Sequence, residues 1–143
     1  MKSVFSILLV LSVLSGILLL SPFVIYQDVL SSGDHGRDLY CFQATANGGL
    51  PYRDYWWVYG PLMPFYYAAF FKICGTVIPS ILLGKLLLDL ISGIFIFLIL
   101  FLWVPPFLAY VGALWFWVLR PDFFFTYNHA GGITLITAAA YGL

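Results

Sequence analysis

Residues 28–61 read DVLSSGDHGRDLYCFQATANGGLPYRDYWWVYGP and lie between two long apolar stretches. They hold four of the six acidic residues and two of the three arginines of the chain. Hydrophobic residues make up 63% of the sequence and charged residues 8%, whereas an average soluble domain is about 25% charged. A soluble monomer of this composition would expose large apolar patches. The sequence therefore indicates an integral membrane protein that collects its charge in one loop.

The apolar stretches predict an all-α, multi-pass transmembrane protein. Residues 4–26 and 80–103 are each long enough, as helices, to cross about 30 Å of hydrocarbon. Two shorter segments, 105–120 and 130–143, complete the predicted spans. Residues 27–79 then form an extracytoplasmic loop that contains interfacial helices.

The first span sets the predicted orientation. Lys2 precedes it, and the positive-inside tendency then places the N-terminus in the cytoplasm and the charged loop outside the cell membrane. A cleaved signal peptide is the alternative, but the apolar core is long and no small-residue cleavage site follows it. The last segment ends at Leu143 without a closing charge. We therefore expect the N-terminal part of a longer protein, inactive by itself.

The loop contains a predicted helix and residues that could end it. Residues 37–47 carry a helix-compatible pattern with Leu39, Phe42 and Ala46 on one side, and Gly48-Gly49 could end that helix. Aromatic residues follow, and amphipathic rings favour the headgroup level of a bilayer. We expect most of this aromatic group to form an interfacial belt: Tyr52, Tyr55, Trp56, Trp57 and Tyr59.

Residues 62–74 are apolar but number only about a dozen, a length more typical of an interfacial segment than of a span. If the segment lies at the interface, Asp122 falls on the same side of the membrane as Asp34. If it spans, Lys72 falls near the cytoplasm, as the positive-inside tendency prefers, and Asp122 falls on the opposite side. We adopt the interfacial arrangement because the segment is short.

Few side chains could carry chemistry, because the chain has six aspartates and no glutamate. Asp34, at a glycine-flanked turn, could act as a general base. The alternative is a helix-capping or turn residue, and this alternative also covers Asp38 and Asp54. His35, His129 and an aspartate could together bind a divalent metal, although their spacing is a weak signal.

Several function classes lack their signatures. The sequence has no P-loop, no G-x-S-x-G, no H-E-x-x-H and no G-x-G-x-x-G. No basic run suggests a nucleic-acid partner. Lys85 and Asp89 are four residues apart and would share a helix face. Because intramembrane charges are functional candidates, a rival interpretation is a non-catalytic membrane protein, such as a transporter subunit or assembly factor, that uses this pair to bind a partner helix.

The stretch GDHGRDLYCFQATANGGLPYRDYWWVYGPLMPFYYAAFFKICG, residues 33–75, resembles the first extracytoplasmic loop of GT-C superfamily membrane glycosyltransferases. The likeness is to the branch of protein O-mannosyltransferases and lipid A aminoarabinose transferases. It covers only the N-terminal portion of a typical member. The matching elements are Asp34, residues 37–47, residues 49–54, Trp56-Trp57 and Gly60-Pro61-Leu62.

This resemblance implies an inverting transferase that uses a polyprenyl-phosphate-linked sugar, with a protein, lipid or glycan acceptor. Asp34 takes the position of the catalytic base, and His35 stands where the family commonly has a second acid. Asp122 takes the position of an acidic residue that would orient the acceptor or a metal. Arg37 and Arg53 could bind the lipid-linked phosphate, for which a guanidinium fork is well suited.

Overall fold

The computed structural model describes residues 2–26, 34–119 and 127–143, and within them the chain is all-helical, as predicted. The helices are α1 (Lys2–Tyr26), α2 (Asp34–Ala46), α3 (Leu62–Cys74), α4 (Ile78–Phe101), α5 (Pro106–Leu119) and α6 (Tyr127–Gly142). Two of them, over Ser3–Pro22 and Ile78–Phe101, are long and apolar enough to cross a membrane. The apolar helices α3 and α5 have 13 and 14 residues, and α3 therefore rises only about 20 Å.

Glycine and proline set several helix ends where the sequence predicts them. After α2, Gly48 adopts a φ of 96°, a left-handed conformation that residues with a side chain rarely adopt. Its N–H donates to Thr45 O at 3.0 Å, and the N–H of Gly49 donates to Ala44 O at 2.9 Å. This bond pair is the Schellman arrangement, which satisfies carbonyls that the helix end leaves open. At a helix N-terminus proline is favourable. Helix α5 starts at Pro106, whose missing N–H loses no hydrogen bond in a first turn.

Helix α4 is the centre of the assembly, because α1, α3, α5 and α6 all pack against it. Buried polar groups on these neighbours need partners in an apolar surrounding. Three of them donate to backbone carbonyls of α4: Tyr66 of α3 to Gly84 at 2.8 Å, Trp117 of α5 to Asp89 at 3.1 Å, and Thr134 of α6 to Leu88 at 3.1 Å. These bonds fix the rotation of each neighbour against α4.

Small residues allow the helices to approach closely, as is common between membrane helices. A Cβ on Gly93 of α4 would lie 2.2 Å from the indole of Trp117. A Cβ on Gly131 of α6 would lie 2.2 Å from the sulfur of Met63 in α3. Trp117 is 1% exposed, so its ring occupies the space that a side chain at position 93 would need. Helix α1 joins the same group through a hydrogen bond of 3.0 Å between the hydroxyls of Ser15 and Tyr110.

The apolar core has two parts. One lies among α1, α4 and α5 and contains Leu20, Phe97, Ala109, Ala113 and Trp117. The other joins α2, the 51–60 loop, α3, α4 and the start of α6, and it contains Cys41, Phe42, Tyr55, Trp57, Met63, Tyr67, Phe71, Ile81, Leu88, Tyr127 and Ala130. This second core supports the candidate site.

The structure differs from two expectations about the loop, which concern its aromatic residues and the buried face of α2. Tyr55 and Trp57 are buried in the second core, whereas Tyr52 and Trp56 are exposed, so only part of the aromatic group is available to an interface. The buried face of α2 is also shifted from the predicted one. Phe42 lies on it, but Leu39 and Ala46 are only half-buried at its edges. The buried positions of α2 are His35, Asp38, Cys41, Phe42 and Thr45.

Candidate functional site

The first turn of α2 meets the first turn of α6. Asp34 is the first residue of α2, and its side chain lies outside the described part of the structure. His35 is buried, and its ring packs on Tyr127 with ring centroids 5.1 Å apart and planes at 35°. Tyr127 is the first residue of α6. Asp34, the loop residue expected to be catalytic, therefore starts a helix whose first turn packs against the start of α6.

Arg37 lies one turn into α2 and is fixed by its neighbours. Its Nε and Nη2 both donate to Oδ1 of Asp38, at 3.2 and 3.0 Å. The guanidinium carbon also lies 5.9 Å from the ring centroid of Trp57 and 5.6 Å from that of Tyr59, within the range of cation–π attraction. The Arg37 side chain is 27% exposed, whereas that of Asp38 is fully buried. The guanidinium of Arg37 is thus held in place by the buried carboxylate of Asp38 and by the rings of Trp57 and Tyr59.

Burial dominates the electrostatics of Asp38. Desolvation raises the pKa of this carboxyl above its usual range, and the hydrogen bonds and charge of Arg37 oppose that rise. The backbone amide of Tyr127 and the charge of His35 favour the anion to a lesser extent. Among the described residues, Oδ2 of Asp38 has no hydrogen-bond partner of good geometry. A buried carboxylate that is only half-satisfied is costly to fold, and such groups are common at functional sites.

Aromatic rings enclose this group. Trp57 is held by a 3.2 Å hydrogen bond from its Nε1 to Gly60 O, and Tyr52 donates its hydroxyl to the carbonyl of Tyr59. The ring of Tyr59 reaches His129 of α6 with centroids 6.2 Å apart. We use the name α2–α6 cluster for the following residues: His35, Arg37, Asp38, Trp57, Tyr59, Tyr127 and His129.

Of the predicted site residues, the structure brings His35 and Arg37 into this cluster and places Arg53 elsewhere. Arg53 is on an exposed turn, where its Nε and Nη2 donate to Asp54 at 2.9 and 2.7 Å. Asp54 also accepts the N–H of Leu50 at 2.8 Å. These bonds lower the pKa of Asp54 to about 2 and confirm its predicted role as a turn residue. Asp122 lies outside the described residues.

Asp38 is the residue that the sequence interpretation misjudged. It was expected to be a cap or turn aspartate, but it is inside α2 and fully buried. The available signal was its spacing from His35, Phe42 and Thr45, because positions i, i+3, i+7 and i+10 lie on one helix face. Tyr127 and His129 carried no such local signal, because their ring contacts are with His35 and Tyr59, far away in the chain.

No metal centre is apparent in the described part of the chain. Residues 2–26, 34–119 and 127–143 contain no group of three histidine, cysteine, aspartate or glutamate side chains that could hold an ion. His35 and His129 each pack against a different tyrosine ring. The cysteines are free thiols, with Cys41 buried and Cys74 exposed.

Comparison with protein-family models, with characterised proteins and with solved structures found no match to this chain. The candidate site therefore has to be judged from its own chemistry.

Proposed function

We propose that the protein is a multi-pass membrane glycosyltransferase that takes a sugar from a polyprenyl-phosphate-linked donor at the extracytoplasmic face. The sequence resemblance over residues 33–75 suggests the class. The observation that carries the proposal is the position of the Arg37 guanidinium, which a buried carboxylate and two aromatic rings hold one turn after Asp34. A carboxylate and an oriented guanidinium at one helix start are the two groups that this reaction needs.

Each group has a distinct role in the proposed step. Asp34 accepts the proton of the acceptor hydroxyl or amine as that atom attacks the anomeric carbon of the sugar. The bond from the anomeric carbon to the phosphate oxygen breaks, and its electron pair leaves with the polyprenyl phosphate. Arg37 stabilises the negative charge that develops on this leaving group. Asp38 keeps the guanidinium in a fixed orientation, so little reorganisation is needed during the step.

Membrane insertion is supported by composition as well as by helix length. The helices over Ser3–Pro22 and Ile78–Phe101 meet the length and hydropathy of a span. Exposed apolar side chains, such as Leu18 of α1, Leu83 of α4 and Trp115 of α5, lie on the outer faces of these helices. Water would solvate these faces poorly, whereas lipid would not. We infer that α5 and α6 also cross the membrane and that the N-terminus is cytoplasmic.

The substitution Asp34→Asn tests the proposed base. Membranes that contain the protein, expressed from its own gene, would be supplied with polyprenyl phosphates carrying different radiolabelled sugars, and transfer to endogenous acceptors would be measured. We expect Asp34→Asn to lower the rate about 10²- to 10⁴-fold, the usual contribution of a general base. Asp54→Asn is the matched control, since Asp54 lies on the exposed turn. Equal rates in Asp34→Asn and wild type would overturn the role of Asp34.

Arg37 and Arg53 provide a second, paired comparison. Arg37→Lys keeps the charge but loses the planar fork that binds a phosphate with two bonds. We expect about a tenfold rise in KM for the lipid-linked donor in Arg37→Lys and little change in Arg53→Lys. A larger loss in Arg53→Lys than in Arg37→Lys would place the phosphate at the exposed turn instead.

The rival interpretation loses some support from the structure. Lys85 and Asp89 of α4 pair with each other at 2.9 Å, and their side chains are only 15% and 13% exposed. The pair neutralises its own charges within the helix assembly, so a partner helix is not needed for that purpose. If the double change Lys85→Met and Asp89→Leu abolished a complex while Asp34→Asn had no effect on any property, the rival would be favoured.

A further inference from the structure

A shallow groove lies between the end of α2 and the outer face of α3, away from the α2–α6 cluster. Its volume is about 280 Å³, and it is lined by Thr45, the turn at 48–49, Leu50, Phe65, Ala68, Ala69 and Lys72. Ala68 is buried and forms the floor, whereas the rings and chains of Phe65 and Leu50 remain about half-exposed. The groove is therefore mostly apolar and open along one side.

Lys72 gives this apolar groove one charged end. It lies in the last turn of α3 and is exposed. The described ion pairs join Arg37 to Asp38, Arg53 to Asp54 and Lys85 to Asp89, and no described carboxylate pairs with Lys72. A cation near a helix C-terminus is favoured by the helix dipole, but the dipole does not explain the adjoining apolar groove. An apolar channel ending in one cation matches an amphiphile with an apolar chain and an anionic head.

We propose that this groove binds one anionic phospholipid of the surrounding bilayer. The lipid phosphate lies at Lys72, which binds phosphate as a point charge, and an upper segment of one acyl chain lies over Ala68 and Ala69 between Phe65 and Leu50. This placement agrees with the interfacial arrangement that we expect for α3, an apolar helix of 13 residues. The proposal depends on a membrane location and is independent of the transferase reaction.

Lipid selection in nanodiscs tests the proposal. The purified protein would be reconstituted into nanodiscs of equal parts dioleoylphosphatidylglycerol and dioleoylphosphatidylcholine, and the lipids retained after detergent extraction would be measured by native mass spectrometry. We expect the wild type to retain the anionic lipid preferentially. Lys72→Gln should lower that preference about five-fold, which corresponds to the attraction between one lysine and an anionic headgroup.

Two further substitutions separate the groove from general surface charge. Ala69→Trp fills the groove and keeps Lys72, and it should also reduce retention of the anionic lipid. Arg53→Gln removes an exposed cation outside the groove, and Ile73→Trp adds bulk on α3 outside the groove; both should behave as wild type. The proposal is overturned if Lys72→Gln and Ala69→Trp keep the wild-type preference, or if the two controls lose it to the same extent.

Discussion

At the scale of single residues, Asp38 is the most informative side chain. The fold buries its carboxylate completely, and the neighbouring Arg37 donates two hydrogen bonds to its Oδ1. A buried ion pair rarely stabilises a protein more than an apolar pair of the same size would. The arrangement is better explained by what it does to Arg37, whose guanidinium would otherwise move with the usual freedom of a long side chain. Asp38 is a positioning residue in this interpretation.

The raised pKa of Asp38 predicts a pH dependence of stability. The folded state binds the carboxyl proton more tightly than the unfolded state, whose carboxyl has the ordinary value of 3.8. The contribution of Asp38 to the free energy of unfolding is therefore full below this pH and is lost as the pH rises through the folded-state pKa. Thermal unfolding in detergent, measured upward from pH 3.5, should show a decline in wild type that is smaller in Asp38→Asn.

The comparison uses the difference between the two curves, because the other titrating groups near Asp38 are common to both proteins. These groups are Arg37 and Cys41 on α2, His35 at its start, Tyr67 of α3 and Tyr127 of α6. Parallel curves for wild type and Asp38→Asn would contradict the prediction.

At the scale of helices, the contact of α4 with α5 depends on Gly93, which has no side chain. Alanine at position 93 would bring a Cβ to 2.2 Å from the indole of Trp117, which is buried and is also close to Gly16, where a Cβ would lie 2.9 Å from the ring. Overpacking of this kind costs about 1–3 kcal/mol, more than the gain of up to about 1 kcal/mol from replacing a helical glycine by alanine. We expect Gly93→Ala to lower the free energy of unfolding, measured by denaturant titration in detergent micelles.

Gly132 of α6 offers a matched control for Gly93. A Cβ there meets nothing within 4 Å, so Gly132→Ala keeps only the gain in helix propensity and should raise stability slightly. A destabilisation of similar size in both variants would show that the indole contact is not the cause.

The sequence predicts a helix end well when the residues at that end determine it, and predicts burial poorly when distant residues cause it. The end of α2 at Gly48 and the start of α5 at Pro106 follow from the residues themselves, and both were predictable. The helix-face spacing of Asp38 pointed to burial, but its contact with Tyr127 of α6, about ninety positions further along the chain, gave no sequence signal. An adjacent arginine and aspartate also do not normally face each other on a helix, so the Arg37–Asp38 bond gave no sequence signal.

At the scale of the molecule, the candidate site is assembled from three separate parts of the chain. Helix α2 supplies Arg37 and Asp38, the 51–60 loop supplies the rings, and the start of α6 closes the group with Tyr127. Helix α4 holds α3 and α6 at fixed rotations through the hydrogen bonds of Tyr66 and Thr134. The site geometry is therefore a property of the whole helix assembly, and the resemblance of one loop to a family could not specify it.

In the proposed multi-pass arrangement, the side of the membrane on which α3 ends decides whether Asp122 can join this site, and the native cysteines can report that side. Cys74 closes α3 and is exposed, whereas Cys41 is buried. If α3 lies at the extracytoplasmic interface, Cys74 should react in intact cells with a maleimide that does not cross membranes, and Cys74→Ser should abolish the reaction. In the Cys74→Ser background, Asp122→Cys should then be labelled from the same side.

Labelling of Cys74 only after permeabilisation would mean that α3 crosses the membrane despite its 13 residues. Helices α4 and α5 would then run in the opposite directions, and Asp122 would face the cytoplasm with no access to Arg37. The α2–α6 cluster argues against this outcome, because α6 begins at Tyr127, in ring contact with His35. We therefore expect the start of α6 and the start of α2 to lie on one side of the membrane.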